Sequence, residues 1–375
     1  MSAIHLFRPV ISENAISAVA DVLRSGWTGL GPRVQDFEKM FADYVGAKYC
    51  VALNSCTSAL HLALRLLNIK EGDEIITTAL TFISTNHVIL YERAIPIFAD
   101  VQLDTGCIDP TDIEKKITEK TKAIMVMHYG GLPSDLDELH AIAKTYNVAI
   151  IEDAAHAMGA LYKGKKIGSI SSINCFSQQS VKNLSIGDSG CITTDNRLYR
   201  DRLIKLRWLG IDKGTFQRTE MSGSTLAPSA YSWLYQVEEV GYKYHLNDIL
   251  AAIGIEQLKL LDQENARRKE IVDIYTKEFE CVPGVVMLKK PIDRVSSNHL
   301  FVLRVERRNL LIDKLKQHDI HCGVHYRLST NYPMYQKVSL PNAEKLESEL
   351  ISLPLHLSLT DEDVQRVIET IKKGW

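Results

Sequence analysis

The sequence predicts an α/β protein: a large unit built on a mostly parallel sheet sandwiched by helices, then a smaller α+β unit. Three observations carry this. Short apolar runs alternate with amphipathic stretches from Tyr49 to Ile151, the signature of repeated βα units. Several runs are followed by short polar residues of the kind that open helices. After about Cys281 the pattern changes to two strand-like runs flanking a break, followed by helical stretches. The 375 residues are enough for both units to bury a core, and the boundary is expected near 260/261, giving a large unit of residues 1–260 and a small one of 261–375.

In chain order, Ser12-Glu13-Asn14 caps a helix to about Arg24, with Ile16, Val19, Ala20 and Leu23 at helical spacing. Ser25-Gly26-Trp27-Thr28-Gly29-Leu30-Gly31-Pro32 is too rich in glycine for helix; Trp27 in it is either a packing anchor or a ligand contact. A second helix covers Val34 to Tyr44. The alternation then runs Cys50–Leu53, a helix from about Thr57, Glu74–Thr77, a helix from Ile83, Ile95–Ala99, Ala123–Met127, the helix Leu136–Tyr146, and Val148–Ile151. Helix returns from Leu198 to Leu209, and a loop rich in Ser, Thr, Gly and Pro spans Gly210 to Tyr235. Apolar Ile249, Ala252, Ile253 and Ile255 mark another helix, and a charged helix from about Gln263 to Phe279 leads into the second unit. There, Val285–Leu288 and Leu300–Val305 read as strands, Arg308–His318 as helix, His321–Tyr326 as extended, and Thr360-Asp361-Glu362-Asp363 caps the last helix.

Composition narrows the function. The formal net charge is -2, with no local Lys/Arg stripe, which argues against nucleic acid. No apolar run approaches the ~20 residues of a membrane span. Seven cysteines occur without a CxxC pair, and Met1 to Pro9 shows no targeting pattern, so the expected compartment is the cytoplasm. No metal site is expected.

Three segments point to chemistry. Lys182 stands among small and polar residues after the run Ile173–Phe176, where a strand can deliver an amine into a cleft, and such an amine can form a Schiff base. Asp153 closes the strand Val148–Glu152 and is expected to face it from a neighbouring strand end, the region where such sheets bind ligands. Asn54-Ser55-Cys56-Thr57-Ser58 opens an apolar helix, and its N–H groups and hydroxyls read as a phosphate seat or as a plain helix cap. Phe82 reads as a ring laid on a flat ligand or as core, and His156 as a partner of whatever Asp153 serves or as a structural histidine.

Four stretches in order complete a recognisable pattern: Ser25-Gly26-Trp27 with Gly31-Pro32; Glu152-Asp153-Ala154-Ala155-His156; Phe176-Ser177 with Val181-Lys182-Asn183 and Gly187-Asp188; and Gly241-Tyr242-Lys243-Tyr244 with Ala251-Ala252-Ile253-Gly254. From Ser25 almost to its end the chain resembles the DegT/DnrJ/EryC1/StrS family, pyridoxal-phosphate enzymes of aspartate-aminotransferase (type I) fold that mostly aminate keto sugars linked to nucleotides.

The resemblance implies that Lys182 holds pyridoxal 5'-phosphate as an internal aldimine and shuttles the proton, and that Asp153 pairs with the pyridine nitrogen. It further implies that Phe82 stacks on the ring, that His156 approaches its 3'-oxygen, and that Cys56, Thr57 and Ser177 hold the phosphate. Lys243, where the family often has asparagine, is implied to reach the phosphate of a neighbouring subunit, so that a homodimer shares its active sites. Trp27, Gln178, Gln179, His325 and Tyr326 are implied on the substrate side, where Gln178 and Gln179 replace an aromatic residue and a histidine. L-Glutamate is the implied amino donor and a keto sugar on UDP, dTDP or GDP the acceptor, in a ping-pong scheme. Sugar dehydratases of the same family commonly carry histidine in place of the lysine, and a non-catalytic regulator on this fold would tolerate the loss of Lys182 or Asp153; both are present.

Overall fold

A computed structural model describes residues 2–212 and 235–375. Most of the loop expected from Gly210 to Tyr235 lies outside the described residues.

The central sheet comprises β1 (Tyr49–Leu53), β2 (Glu74–Thr78), β3 (Ile95–Ala99), β4 (Thr121–Met127), β5 (Ala149–Asp153), β8 (Asn174–Ser177) and β9 (Gly190–Thr194), in the order β1-β9-β8-β5-β4-β2-β3. Pairing is parallel from β8 through β5, β4 and β2 to β3; only β9 runs against its neighbours β1 and β8. The sheet is therefore mixed, with a parallel majority. Between β5 and β8 the short strands β6 (Leu161–Tyr162) and β7 (Lys165–Lys166) form a small side sheet with β11 (Arg294–Val295).

Helices cover both faces, as buried parallel strands require. The first part of the chain supplies α1 (Glu13–Ser25), α2 (Pro32–Val45), α3 (Cys56–Leu66), α4 (Ser84–Tyr91), α5 (Pro110–Lys116), α6 (Leu136–Tyr146) and α7 (Arg197–Leu206). One apolar cluster joins the sheet to α2 and α6 through Phe37, Phe41, Leu139 and Phe176, and the cluster of the opposite face holds Leu60, Leu64, Val88 and Leu203. Local chemistry sets the helix ends. Ser12 Oγ accepts the Ala15 N–H, Ser55 Oγ accepts the Ser58 N–H, and α1 stops at Gly26, whose φ of 74° suits a residue without a Cβ.

The two helices expected between Ile249 and Phe279 are one: α8 (Asp248–Phe279) runs 32 residues without interruption. Its first half buries Ala251, Ile255 and Leu258 in the large core, and its second half buries Ile271, Val272, Tyr275 and Phe279 in the small one. Asp262, Lys269, Glu270 and Asp273 lie on its outer face, whereas Arg268 is buried. The boundary expected at 260/261 thus falls inside a continuous helix.

The small unit pairs β10 (Val285–Met287), β12 (Phe301–Val305) and β13 (Leu350–Leu353) antiparallel, and packs α9 (Arg308–Gln317), α10 (Pro341–Glu349) and α11 (Asp361–Lys372) around them. Thr360 and Asp363 form the reciprocal capping box at the start of α11. The chain's beginning returns here: Ile4 bridges Ile320 and is buried in the small core, so the first residues belong with the C-terminal unit. Among the described residues, the segment expected as extended from His321 makes a single bridge, Gly323 to Ser352.

Candidate active site

The parallel pairing of β5 with β8 sets Asp153 opposite Cys175, so Asp153 and the Lys182 loop leave the sheet at adjacent strand ends. Beyond those ends lies a cleft of about 380 Å³ lined by both residues, by the start of α3 and by segments of the small unit. Its size falls within the ~300–1,000 Å³ usual for small-molecule and cofactor sites.

Asp153 is 3 % exposed. Its Oδ2 accepts the Thr85 hydroxyl at 2.7 Å and its Oδ1 accepts the Ala155 N–H at 3.1 Å. Burial pushes the carboxyl above the ordinary aspartate range, opposed by these two hydrogen bonds and by the charges of Lys182 and His128. Among the described residues no cation forms an ion pair with it. Thr85, on the first turn of α4, is in turn bonded to Thr81 Oγ1 at 2.8 Å.

Lys182 follows β8 on a loop stitched by its neighbour Asn183. The Asn183 amide donates to Asn265 Oδ1 on α8 at 2.8 Å and to the Ser297 carbonyl at 2.7 Å, and its oxygen faces His299 Nδ1 at 3.1 Å. Burial lowers the Lys182 ammonium from 10.5 to about 8, partly offset by the negative charge of Asp153. A useful fraction of this amine is therefore neutral near physiological pH.

The first turn of α3 presents the N–H groups of Cys56 and Thr57, which have no partner within the helix by the geometry of a helix start. Gly190 lets β9 begin directly beneath this turn: a Cβ there would sit 2.3 Å from the Ser55 carbonyl carbon. Cys56, Thr57 and Ser177 all line the cleft at this end, and Phe82 stands exposed at its mouth, its ring 6.0 Å from that of Tyr326. His156 is buried, with Nε2 2.9 Å from the Tyr326 hydroxyl and Nδ1 without a partner among the described residues. Burial, followed by the charge of Lys182, holds it well below the usual histidine range, so the ring is neutral.

These residues fit pyridoxal phosphate. A buried carboxylate without a cationic partner suits a protonated pyridine nitrogen, a helix start with hydroxyls suits a phosphate, and a desolvated amine suits an aldehyde carbon. The unpartnered His156 Nδ1 leaves a polar position for the ring's edge.

The substrate-side residues divide. Gln179, His325 and Tyr326 line the cleft. Gln178 does not: it is fully buried, its amide nitrogen 3.3 Å from Cys191 Sγ and its oxygen accepting the Ser189 hydroxyl at 3.0 Å. Trp27 lies outside the cleft of its own chain, in the loop that ties α1 to α8; its Nε1 donates to the Leu30 carbonyl at 3.2 Å, and Asp248 accepts the N–H groups of Gly31, Arg33 and Val34. Lys243 also lies outside its own cleft, its Nζ 3.5 Å from the centre of the Trp208 ring.

Sequence reasoning missed Thr85, His299 and Phe7. Phe7 and His299 line the cleft with their rings stacked at 5.8 Å. Thr85 lies 68 residues from the carboxylate it holds, and His299 lies 116 from Asn183; no local pattern marks either. Asn183 stood next to Lys182 in the motif, which was the one available signal.

The family model for the DegT/DnrJ/EryC1/StrS aminotransferase family matches residues 9–372. The spore coat polysaccharide biosynthesis protein SpsC of Bacillus subtilis is 40 % identical, with 97 % of this chain and 95 % of SpsC covered. Among solved structures, the sugar aminotransferase CalS13 of Micromonospora echinospora superposes with a TM-score of 0.90 at 30 % identity, covering 99 % of this chain and 100 % of CalS13. Spr1654 of Streptococcus pneumoniae in its PLP form gives 0.89 at 33 % identity, covering 99 % and 98 %.

Proposed function

Because the chain belongs to the DegT/DnrJ/EryC1/StrS aminotransferase family, whose members use pyridoxal phosphate, we propose that it moves an amino group from L-glutamate to the keto carbon of a nucleotide-linked deoxysugar. The observation that carries this reading is the convergence of Lys182, Asp153 and the start of α3 on one cleft. The glutamate donor and the nucleotide carrier rest on the family resemblance, and the similarity to SpsC supports a role in surface-glycan synthesis.

When bound, pyridoxal phosphate supplies an electron-poor ring that takes up the electron pair released as a substrate C–H bond breaks. The chain's own residues do the rest. Asp153, fixed by Thr85 and Ala155, would keep the ring nitrogen protonated, and the N–H groups of Cys56 and Thr57 with the Ser177 hydroxyl would hold the phosphate. Phe82 would pack against the ring, and His156 would lie beside its polar edge. Lys182 Nζ, whose pKa desolvation lowers to about 8, takes the proton from the donor's α-carbon in its neutral form and later delivers one to the sugar carbon. Gln179, His325 and Tyr326 orient the sugar. Lys243, facing away from its own cleft, serves the phosphate of a second copy in a homodimer.

The test is incubation of the purified protein with glutamate and a panel of keto sugars on UDP, dTDP or GDP, following 2-oxoglutarate release. Turnover with glutamate and one of these acceptors is expected, with parallel lines in two-substrate kinetics. Intersecting lines, or release with glutamate that no keto sugar sustains, would overturn the proposal.

A further inference from the structure

His299 lies in a chain of polar contacts whose proton positions are determined. At one end, the Met158 carbonyl accepts from Asn265 Nδ2 at 3.1 Å; a carbonyl oxygen only accepts, so the Asn265 amide oxygen must point the other way. It does, receiving Asn183 Nδ2 at 2.8 Å and Arg268 Nη1 at 3.4 Å. Asn183 Nδ2 also donates to the Ser297 carbonyl at 2.7 Å, which fixes the Asn183 amide and leaves its oxygen facing His299 Nδ1 at 3.1 Å. The nitrogen facing that oxygen has to carry the hydrogen. Burial, with the positive charges of Lys182 and Arg268 and the neighbouring His325, disfavours a second proton on the ring. Nε2 is thus a bare lone pair.

Among the described residues the only hydrogen bond of the His299 ring is the one at Nδ1, and His299 lines the cleft beside Lys182. The ring cannot swing away, because it is 4 % exposed, stacks on Phe7 and sits 4.2 Å from the His156 ring. A rigid acceptor of this kind is mismatched with the ketone and phosphate oxygens of the acceptor substrate, which are themselves acceptors. It is matched with a sugar hydroxyl.

Resting on the reading of the acceptor as a keto sugar, we propose that His299 is a specificity-determining residue whose Nε2 accepts a hydrogen bond from a ring hydroxyl of the sugar, with the Asn265–Asn183 amides holding the acceptor in place. A hydroxyl bound here sets which carbon of the ring is presented to Lys182. A site built to accept from a hydroxyl also discriminates strongly against a sugar lacking it.

Two measurements test this. In the wild-type protein with ¹⁵N-labelled histidine, the His299 signals, assigned by their loss in H299N or H299Q, are expected to show a protonated Nδ1 and an unprotonated Nε2 near neutral pH. A protonated Nε2 would overturn the proposal irrespective of any activity. In H299N, where the asparagine amide can still donate to Asn183 but no acceptor reaches the Nε2 position, KM for the keto sugar should rise at least about tenfold. The glutamate half-reaction should stay within about twofold, as should the cofactor's absorbance. Equal losses in both half-reactions, or an unchanged KM, would overturn the proposal. A wild-type protein that releases 2-oxoglutarate but aminates no keto sugar would instead overturn the functional reading on which it rests.

Discussion

Replacing Lys182 by methionine in the cofactor-free protein tests where the reactivity of the lysine comes from. In the folded chain burial holds the amine at about 8, against 10.5 for an ordinary lysine. Between these values the unfolded chain binds the proton and the folded chain does not, so stability rises with pH across this window. Above 10.5 both states are neutral and the lysine imposes no penalty; as pH falls through about 8 the folded state must charge a desolvated amine, and the full penalty applies. The interval corresponds to about 3 kcal/mol. Methionine is of similar length and carries no charge, so K182M apoprotein should be more stable than wild type by up to about 3 kcal/mol near pH 7, the gain fading as pH approaches 10.5. Urea unfolding followed by circular dichroism, at one protein concentration and several pH values, measures this directly. A gain that does not change with pH, or a loss of stability near neutrality, would refute burial as the cause of the lowered pKa.

The Thr85 hydroxyl helps to keep Asp153 ionised, so T85V should raise the carboxyl's pKa, move the acid limb of the kcat/KM profile to higher pH and slow both half-reactions about 10- to 100-fold, as loss of a ~1.5–3 kcal/mol charged hydrogen bond implies; T85S should remain near wild type. A T85V profile with an unmoved acid limb would show that Thr85 does not act through Asp153. Borohydride treatment of the loaded protein should fix the cofactor on the peptide carrying Lys182, and mapping to another lysine would remove Lys182 from its proposed role. Subunits inactivated by Lys182→Ala and by Lys243→Ala should recover activity when mixed, since each heterodimer then holds one complete site; verified heterodimers without activity would place Lys243 outside the partner's site.

The features legible in the sequence were those decided locally. Strand-helix alternation, the caps at Ser12, Ser55 and Thr360, and the placement of Asp153 at a strand end all follow from residues close in the chain. The reading failed where tertiary contacts decide. Strand β9 was missed because its Gly190-Cys191-Ile192-Thr193-Thr194 run follows a loop and pairs antiparallel with β1, far away in the chain, Leu53 facing Gly190. Helix α8 was split because its buried face passes from one core to the other midway, which breaks the apolar period without breaking the helix. Thr85 and His299 gained their roles only when the fold brought them to Asp153 and Asn183.

Gln178 and Gln179 show what a single structural rule decides. Strand β8 alternates its faces: Phe176 packs against Phe41 beneath the sheet, and Ser177 lines the cleft. Continued past the strand end, the two-residue period turns Gln178 inward, toward Cys191 and Ser189, and returns Gln179 to the cleft. The replacement at Gln178 therefore acts on how β8 and β9 are joined, and only Gln179 is placed to touch a substrate. The other cleft residues on this side, His299, His325 and Tyr326, come from segments of the small unit, whereas Asp153, Lys182 and the start of α3 come from the large sheet. The residues proposed to hold the cofactor and those proposed to read the sugar are thus carried by different parts of the chain and meet through Asn183, which bonds to both α8 and Ser297. Substitutions in the small-unit segments can alter the accepted sugar while leaving the lysine–aspartate pair in place, provided Asn183 keeps its partners.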